Sequence, residues 1–208
     1  MIIIDYEQGT PEWHDVRRGV ITASEFSKIV TPTGKRSAQW EKYQAELLAQ
    51  WALGDDYHEN TYENRAIERG RELEEEARAY YEFTTGNECK KVGFVFQDEA
   101  KTVGCSPDSL VGDDGALEIK CPEAATHIQY LLEGRGLKYY PQIQSSLWIT
   151  GLMWWDFLSY YPGLPPVLER IEPDMKLHEI YDNLIAEFLE ELKSNKQRLK
   201  SLGIQGVK

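Results

Sequence analysis

The residues with the most chemical potential lie in one stretch, Ser106-Pro107-Asp108, followed after the turn Gly112-Asp113-Asp114-Gly115 by Glu118-Ile119-Lys120. Side chains alternate along a strand, so Glu118 and Lys120 emerge on one face while Ile119 turns to apolar packing on the other. A hairpin folds Asp108 back beside them. Two carboxylates and an ammonium converging at the end of a sheet are costly unless a cation or a hydrogen-bonded charge network satisfies them. Mg²⁺ favours carboxylate, carbonyl and water oxygens in octahedral geometry; Asp108, Glu118 and the Ile119 carbonyl offer these and leave positions for a substrate phosphate. Such an ion acidifies a bound water and offsets the charge of a five-coordinate phosphate, while Lys120 holds or helps deprotonate the attacking water. The chemistry implied is metal-assisted phosphodiester hydrolysis. An acidic-x-Lys tripeptide alone is common on solvated strands, so the upstream Pro107-Asp108 and the hairpin carry the inference.

A third carboxylate comes from a helix. Residues 63–83 read as helical, with Ile67, Gly70, Glu74, Ala77 and Tyr81 on one face. Glu74 belongs to the run Glu72-Leu73-Glu74-Glu75-Glu76, which would otherwise be a solvated charge face. Its phase places it on the less polar stripe, where it can serve a second ion or that ion's water shell.

The surrounding elements follow from caps, periods and turns. Thr10-Pro11 opens a short helix that Gly19 stops. Thr22 and Glu25 form a capping box for a helix through Phe26, Ile29 and Val30. Residues 31–37 are a loop, 39–53 a helix closed by Gly54, and 55–60 an acidic loop. After Thr85-Gly86 the pattern turns to strands at 91–97, 102–105, 109–111 and 116–120, a small β-meander. Helices at 123–132 and 140–150 and strands at 154–160 and 167–171 come next, before a long helix from the N-cap Asp174 to about 202. One α/β domain over residues 1–208 is expected, without repeats or low-complexity linkers.

Composition sets limits. With 35 acidic residues against 23 Lys plus Arg the chain carries a formal charge of -12, so any phosphate binding must be local, in a cleft where cations gather. Apolar residues at 41% support a packed core and exclude a largely disordered chain. No apolar run approaches the roughly 20 residues of a membrane span, and Met1-Ile2-Ile3-Ile4-Asp5 is too short and unbasic for a signal peptide, so no membrane association and a cytosolic location are expected. Cys89, Cys105 and Cys121 form no C-x-x-C pair, which argues for reduced thiols.

Four motifs in order carry a resemblance: Trp13-His14-x-x-Arg17-x-Gly19-Val20-Ile21-Thr22-Ala23-Ser24-Glu25; Cys105-Ser106-Pro107-Asp108; Leu117-Glu118-Ile119-Lys120-Cys121-Pro122; and Gln142-Ile143-Gln144. The chain resembles the lambda-exonuclease-like, YqaJ-type viral recombinase branch of the PD-(D/E)XK nucleases from about Trp13 to Trp148. The resemblance implies a restriction-endonuclease-like α/β core, a central mixed β-sheet flanked by helices. It implies that Asp108, Glu118 and the Ile119 carbonyl bind two Mg²⁺ ions, for which Mn²⁺ can substitute, with Glu74 assisting and Lys120 serving the nucleophilic water. Gln142 matches the glutamine that contacts that water or its surroundings.

Arg17 matches the arginine that holds a terminal 5′-phosphate with hydroxyls such as Ser24 and Ser106, and a guanidinium fork suits a phosphate monoester. Ile67 stands where the family places an apolar strand-separating wedge, and Trp13 either stacks or packs. The family forms a ring-shaped homotrimer whose channel admits duplex DNA, which reconciles an acidic chain with DNA. Lys35 and Arg36 are candidates to line that channel. The segment Glu123-Ala124-Ala125-Thr126-His127 lacks a basic residue present in the family, and no role is assigned to the histidines.

The implied activity is digestion of one strand of linear double-stranded DNA from 5′-phosphorylated ends, 5′ to 3′, leaving 3′ overhangs for a single-strand annealing protein in phage-type recombination. The implied setting is the bacterial host cytoplasm, with a phage or prophage origin. A PD-(D/E)XK endonuclease and a non-catalytic DNA-binding subunit retaining the fold are the alternatives.

Overall fold

The computed structural model describes residues 1–57, 65–134 and 138–207, with the side chains of 65–69 and 71 outside the description. The chain runs β1 (Ile2–Ile4), α1 (Pro11–Arg17), β2 (Ile21–Thr22), a 3₁₀ helix (Ala23–Lys28), α2 (Trp40–Leu53), a short 3₁₀ turn (Gly54–Asp56) and α3 (Arg65–Thr85). It continues through β3 (Cys89–Lys90), β4 (Phe94–Phe96), β5 (Val103–Cys105), β6 (Ser109–Val111) and β7 (Gly115–Lys120) to α4 (Ala124–Glu133), α5 (Tyr140–Thr150), β8 (Trp154–Ser159), β9 (Val167–Ile171) and α6 (Met175–Ser201).

The fold is mixed α/β, and its strands form two mixed sheets rather than a single central one. The order is β1-β4-β5-β2 in one and β3-β6-β7-β8-β9 in the other. The expected meander is therefore corrected: of residues 91–97 only Phe94–Phe96 form a strand, which pairs with β1 and β5, while a separate strand just before them, Cys89–Lys90, pairs with β6. Gly93 makes the crossing possible, since a Cβ there would lie 1.9 Å from the Tyr6 carbonyl oxygen.

The capping box at Thr22 is also not formed. Thr22 pairs in parallel with Gly104 as part of β2, its hydroxyl lies 3.2 Å from Ser24 Oγ, and Glu25 pairs with Lys28. The segment that follows is a 3₁₀ helix ending at Lys28. Thr10 and Asp174 do cap their helices, accepting from Trp13 N and Leu177 N.

β7 is the spine of the site. Its antiparallel pairing with β6 sets Ser109 opposite Leu117, and its parallel pairing with β8 follows the α4–α5 crossover. Leu117 and Ile119 pack on one face against Ala77 and Tyr81 of α3, while Ala116 joins the larger core on the other face, with Ile143 and Leu147 of α5. That alternation turns Glu118 and Lys120 toward α5.

Candidate active site

One residue beyond the Ser109–Leu117 pair, where main-chain pairing of β6 has ended, Asp108 takes over the hydrogen bond that a strand would have made. Its Oδ2 accepts from Ile119 N at 2.6 Å. In a strand the N–H and C=O of one residue point the same way, so the Ile119 carbonyl is directed past the end of β6 toward the same carboxylate. Glu118, 2% exposed, accepts at Oε1 from Lys120 Nζ (2.5 Å) and Gln142 Nε2 (2.8 Å). Lys120 Nζ also lies 5.4 Å from the centre of the Tyr139 ring. The structure thus brings together Asp108, Glu118, Ile119, Lys120 and Gln142.

The electrostatics follow from burial. Desolvation, and after it the charge of Glu118, push Asp108 up to about 8, Lys120 and the Ile119 N–H opposing the shift. Burial works against the Lys120 ammonium, but Glu118 and Asp108 outweigh it and hold its pKa above the usual lysine range. Among the described residues no group of three or more His, Cys, Asp or Glu side chains gathers closely enough to hold a metal ion. What converges is a carboxylate pair with a main-chain carbonyl. Asp108 is engaged through Oδ2 and Glu118 through Oε1, so the other oxygen of each faces no hydrogen-bond donor among the described residues. This all-oxygen, anionic set suits a hard divalent cation, which would remove the repulsion that now raises Asp108.

Glu74 reaches the edge of this set. It shares a cleft of about 540 Å³ with Asp108 and Trp13, and adds to the repulsion on Asp108, while its Oε1 lies 2.5 Å from Arg78 Nη2. Trp13 lines this cleft and also a second of about 520 Å³ that contains Arg17, Thr22, Lys28 and Tyr43. Trp13 Nε1 donates to Gly93 O at 2.8 Å, and its ring carries the Arg17 guanidinium 3.9 Å above the centroid.

Ser24 is exposed and meets Thr22, which lines the second cleft, and Ser106 Oγ is buried without a hydrogen-bond partner among the described residues. Arg36 stacks on Trp40 and pairs with Glu41, Glu187 and Glu191, and both it and Lys35 are exposed. Ile67 lies in α3 by its backbone, and its side chain is outside the described residues. Gln144 is structural, bonding Glu172 O, Asp174 N and His178, and His127 is a core residue between Ser159 and Pro165 O.

Two participants escaped the sequence. Gln8 Nε2 donates to Pro107 O (2.9 Å) and Val92 O (3.0 Å), pinning the turn that presents Asp108, a contact across the chain that no local pattern announces. Arg78 was legible only as a cation three and four residues after Glu75 and Glu74.

Fold and site together define a nuclease. The YqaJ-like viral recombinase domain model matches residues 12–153, and the chain belongs to that family. It is similar in structure to an alkaline exonuclease from Laribacter hongkongensis, with 36% identity over 93% of this chain and 98% of that one and a TM-score of 0.81. The same enzyme in complex with dAMP matches to the same extent. A phage-related exonuclease from Haemophilus somnus 129PT shares the fold at 16% identity, covering 88% of this chain and 96% of that one, with a TM-score of 0.65. No curated protein sequence matches the chain. Among the described residues no helix is long and apolar enough to cross a membrane.

Proposed function

We propose that residues 1–208 act as one nuclease domain, a Mg²⁺-dependent exonuclease that degrades one strand of linear duplex DNA from 5′-phosphorylated ends toward 3′. The observation that carries this reading is the meeting of Asp108, Glu118 and the Ile119 main chain beside Lys120. The likeness to an alkaline exonuclease supports removal of nucleotides from ends.

Asp108, Glu118 and the Ile119 carbonyl would hold the cation, with Glu74 serving it from the cleft; Mn²⁺ meets the same donor demands. When bound, the cation supplies Lewis-acid charge at the scissile phosphate and makes water a better nucleophile. Gln142 fixes the rotamer of Glu118. Lys120, held beside Glu118 and Asp108, would orient the attacking water or help deprotonate it. Arg17, with its plane set by Trp13, offers a fork to the terminal 5′-phosphate. The Ser106 and Ser24 hydroxyls would supply further donors, and Ile67 would part the strands.

A homotrimeric ring with Lys35 facing its channel would let an acidic chain hold DNA. Its product, a 3′ overhang, suits a single-strand annealing protein in phage-type recombination in the bacterial host cytoplasm. The test pairs linear and supercoiled duplex, with and without Mg²⁺. Mg²⁺-dependent loss of the linear form alone, from 5′-phosphorylated ends, is expected. Cutting of the closed circle would indicate an endonuclease, and binding without cleavage a non-catalytic subunit.

A further inference from the structure

Among the described residues Arg78 is the one buried cation, 5% exposed. An arginine three or four residues after a glutamate on a helix ordinarily makes only a weak surface contact with it. Arg78 differs in what its guanidinium spans. Nη2 meets Glu74 Oε1 at 2.5 Å and the Asp108 main-chain oxygen at 3.3 Å. Nε donates to Ser109 Oγ at 2.9 Å, and that hydroxyl donates to the same Asp108 oxygen at 2.6 Å. Nη1 is held by Glu75 at 2.7 Å, which Lys91 also pairs. One planar fork therefore bolts a carboxylate of α3 to the peptide carrying Asp108 on the other side of the cleft. Burial opposes the charge of Arg78, yet the two glutamates raise its pKa further, so it is a permanent cation there.

We infer that Arg78 is a positioning residue for the metal site, fixing Glu74 and the Asp108 backbone at one separation so that the carboxylates meet a divalent cation already arranged. This rests on the nuclease reading above. Lysine keeps the charge, but its three donors sit on one nitrogen and cannot reproduce the planar fork that reaches Ser109 from Nε and Glu74 and the Asp108 carbonyl from Nη2.

The test is Arg78→Lys in the full chain, measured by Mn²⁺ calorimetry without DNA and by the Mg²⁺ dependence of duplex digestion. Weakening of Mn²⁺ binding by about 10–100-fold is expected, as for other outer partners of metal ligands, with half-saturating DNA unchanged. Combined with Glu74→Gln, Arg78→Lys should add less than its separate effect, because the two share one interaction. Wild-type Mn²⁺ affinity in folded Arg78→Lys, or losses that simply multiply, would overturn the inference. If Arg78→Lys does not fold, Ser109→Ala substitutes: weakening of about threefold is expected for one lost hydrogen bond, and unchanged affinity overturns it. A wild-type protein that bound no Mn²⁺ would instead defeat the nuclease reading itself.

Discussion

Gln142 Nε2 donates to Glu118 Oε1 at 2.8 Å, tying the first turn of α5 to β7, the central strand of its sheet. The helix is seated there by Ser145 Oγ, which donates to Gln142 O and Ala23 O, so the amide is fixed from behind. The carboxylate is consequently held by a neutral donor and by Lys120 at one oxygen, leaving its orientation independent of substrate.

Gln142→Ala should preserve the fold, since the side chain is only half-buried, and should lower turnover by about 10–100-fold while changing half-saturating DNA little. Initial rates on end-labelled duplex measure this. Turnover equal to wild type would show that Glu118 needs no such support.

Asp108 gives the metal-free protein a pH dependence. Its pKa of about 8 lies above the ~3.9 of an unfolded aspartate. Between these values the folded state keeps a proton that the unfolded chain has released, so stability falls as pH rises through the interval. Thermal melts in chelator should show Tm decreasing from about pH 5 to pH 8 more steeply in wild type than in Asp108→Asn. On the proposed reading the deprotonated pair binds Mg²⁺, which should then raise Tm more at pH 8 than at pH 6. Equal slopes in both proteins would contradict the buried repulsion between Asp108 and Glu118.

Arg17→Ala should remove most of the preference for 5′-phosphoryl over 5′-hydroxyl ends, by about tenfold or more, as for a lost charged hydrogen bond of about 1.5–3 kcal/mol. Paired digestion of the two substrates reads the ratio, and an unchanged ratio would place the phosphate elsewhere.

Gly93→Ala tests the support behind Trp13 and Gln8. The new Cβ would lie 1.9 Å from the Tyr6 carbonyl, so the β1 end of the N-terminal segment must move, at a cost of about 1–3 kcal/mol. Denaturant unfolding should show that loss, with a parallel fall in activity as Gln8 leaves Pro107. A variant as stable as wild type would mean that this close approach carries no strain.

How far the sequence disclosed this site depends on how local each determinant is. Asp108, Glu118 and Lys120 were legible together because a turn and the two-residue period of a strand determine their relation without help from the rest of the fold. Helix α6 was legible for the same reason, through the Asp174 cap. Strand partnership was not: residues 91–97 read as one strand, but only Phe94–Phe96 form one, pairing with β1 and β5, and the strand that joins β6 is the earlier Cys89–Lys90. The Thr22–Glu25 box failed because pairing with β5 and the ion pair to Lys28 claimed both of its halves. Gln8, Tyr139 and Arg78 acquire their roles only from packing between distant segments.

The account rests on Asp108 and Glu118 sharing a divalent cation that cleaves DNA. The most direct measurement is digestion of a linear, 5′-phosphorylated, end-labelled duplex in Mg²⁺ by wild type and by folded Glu118→Ala. The account predicts shortening of one strand by wild type that stops in chelator and is abolished in Glu118→Ala. Digestion by Glu118→Ala at the wild-type rate would contradict it.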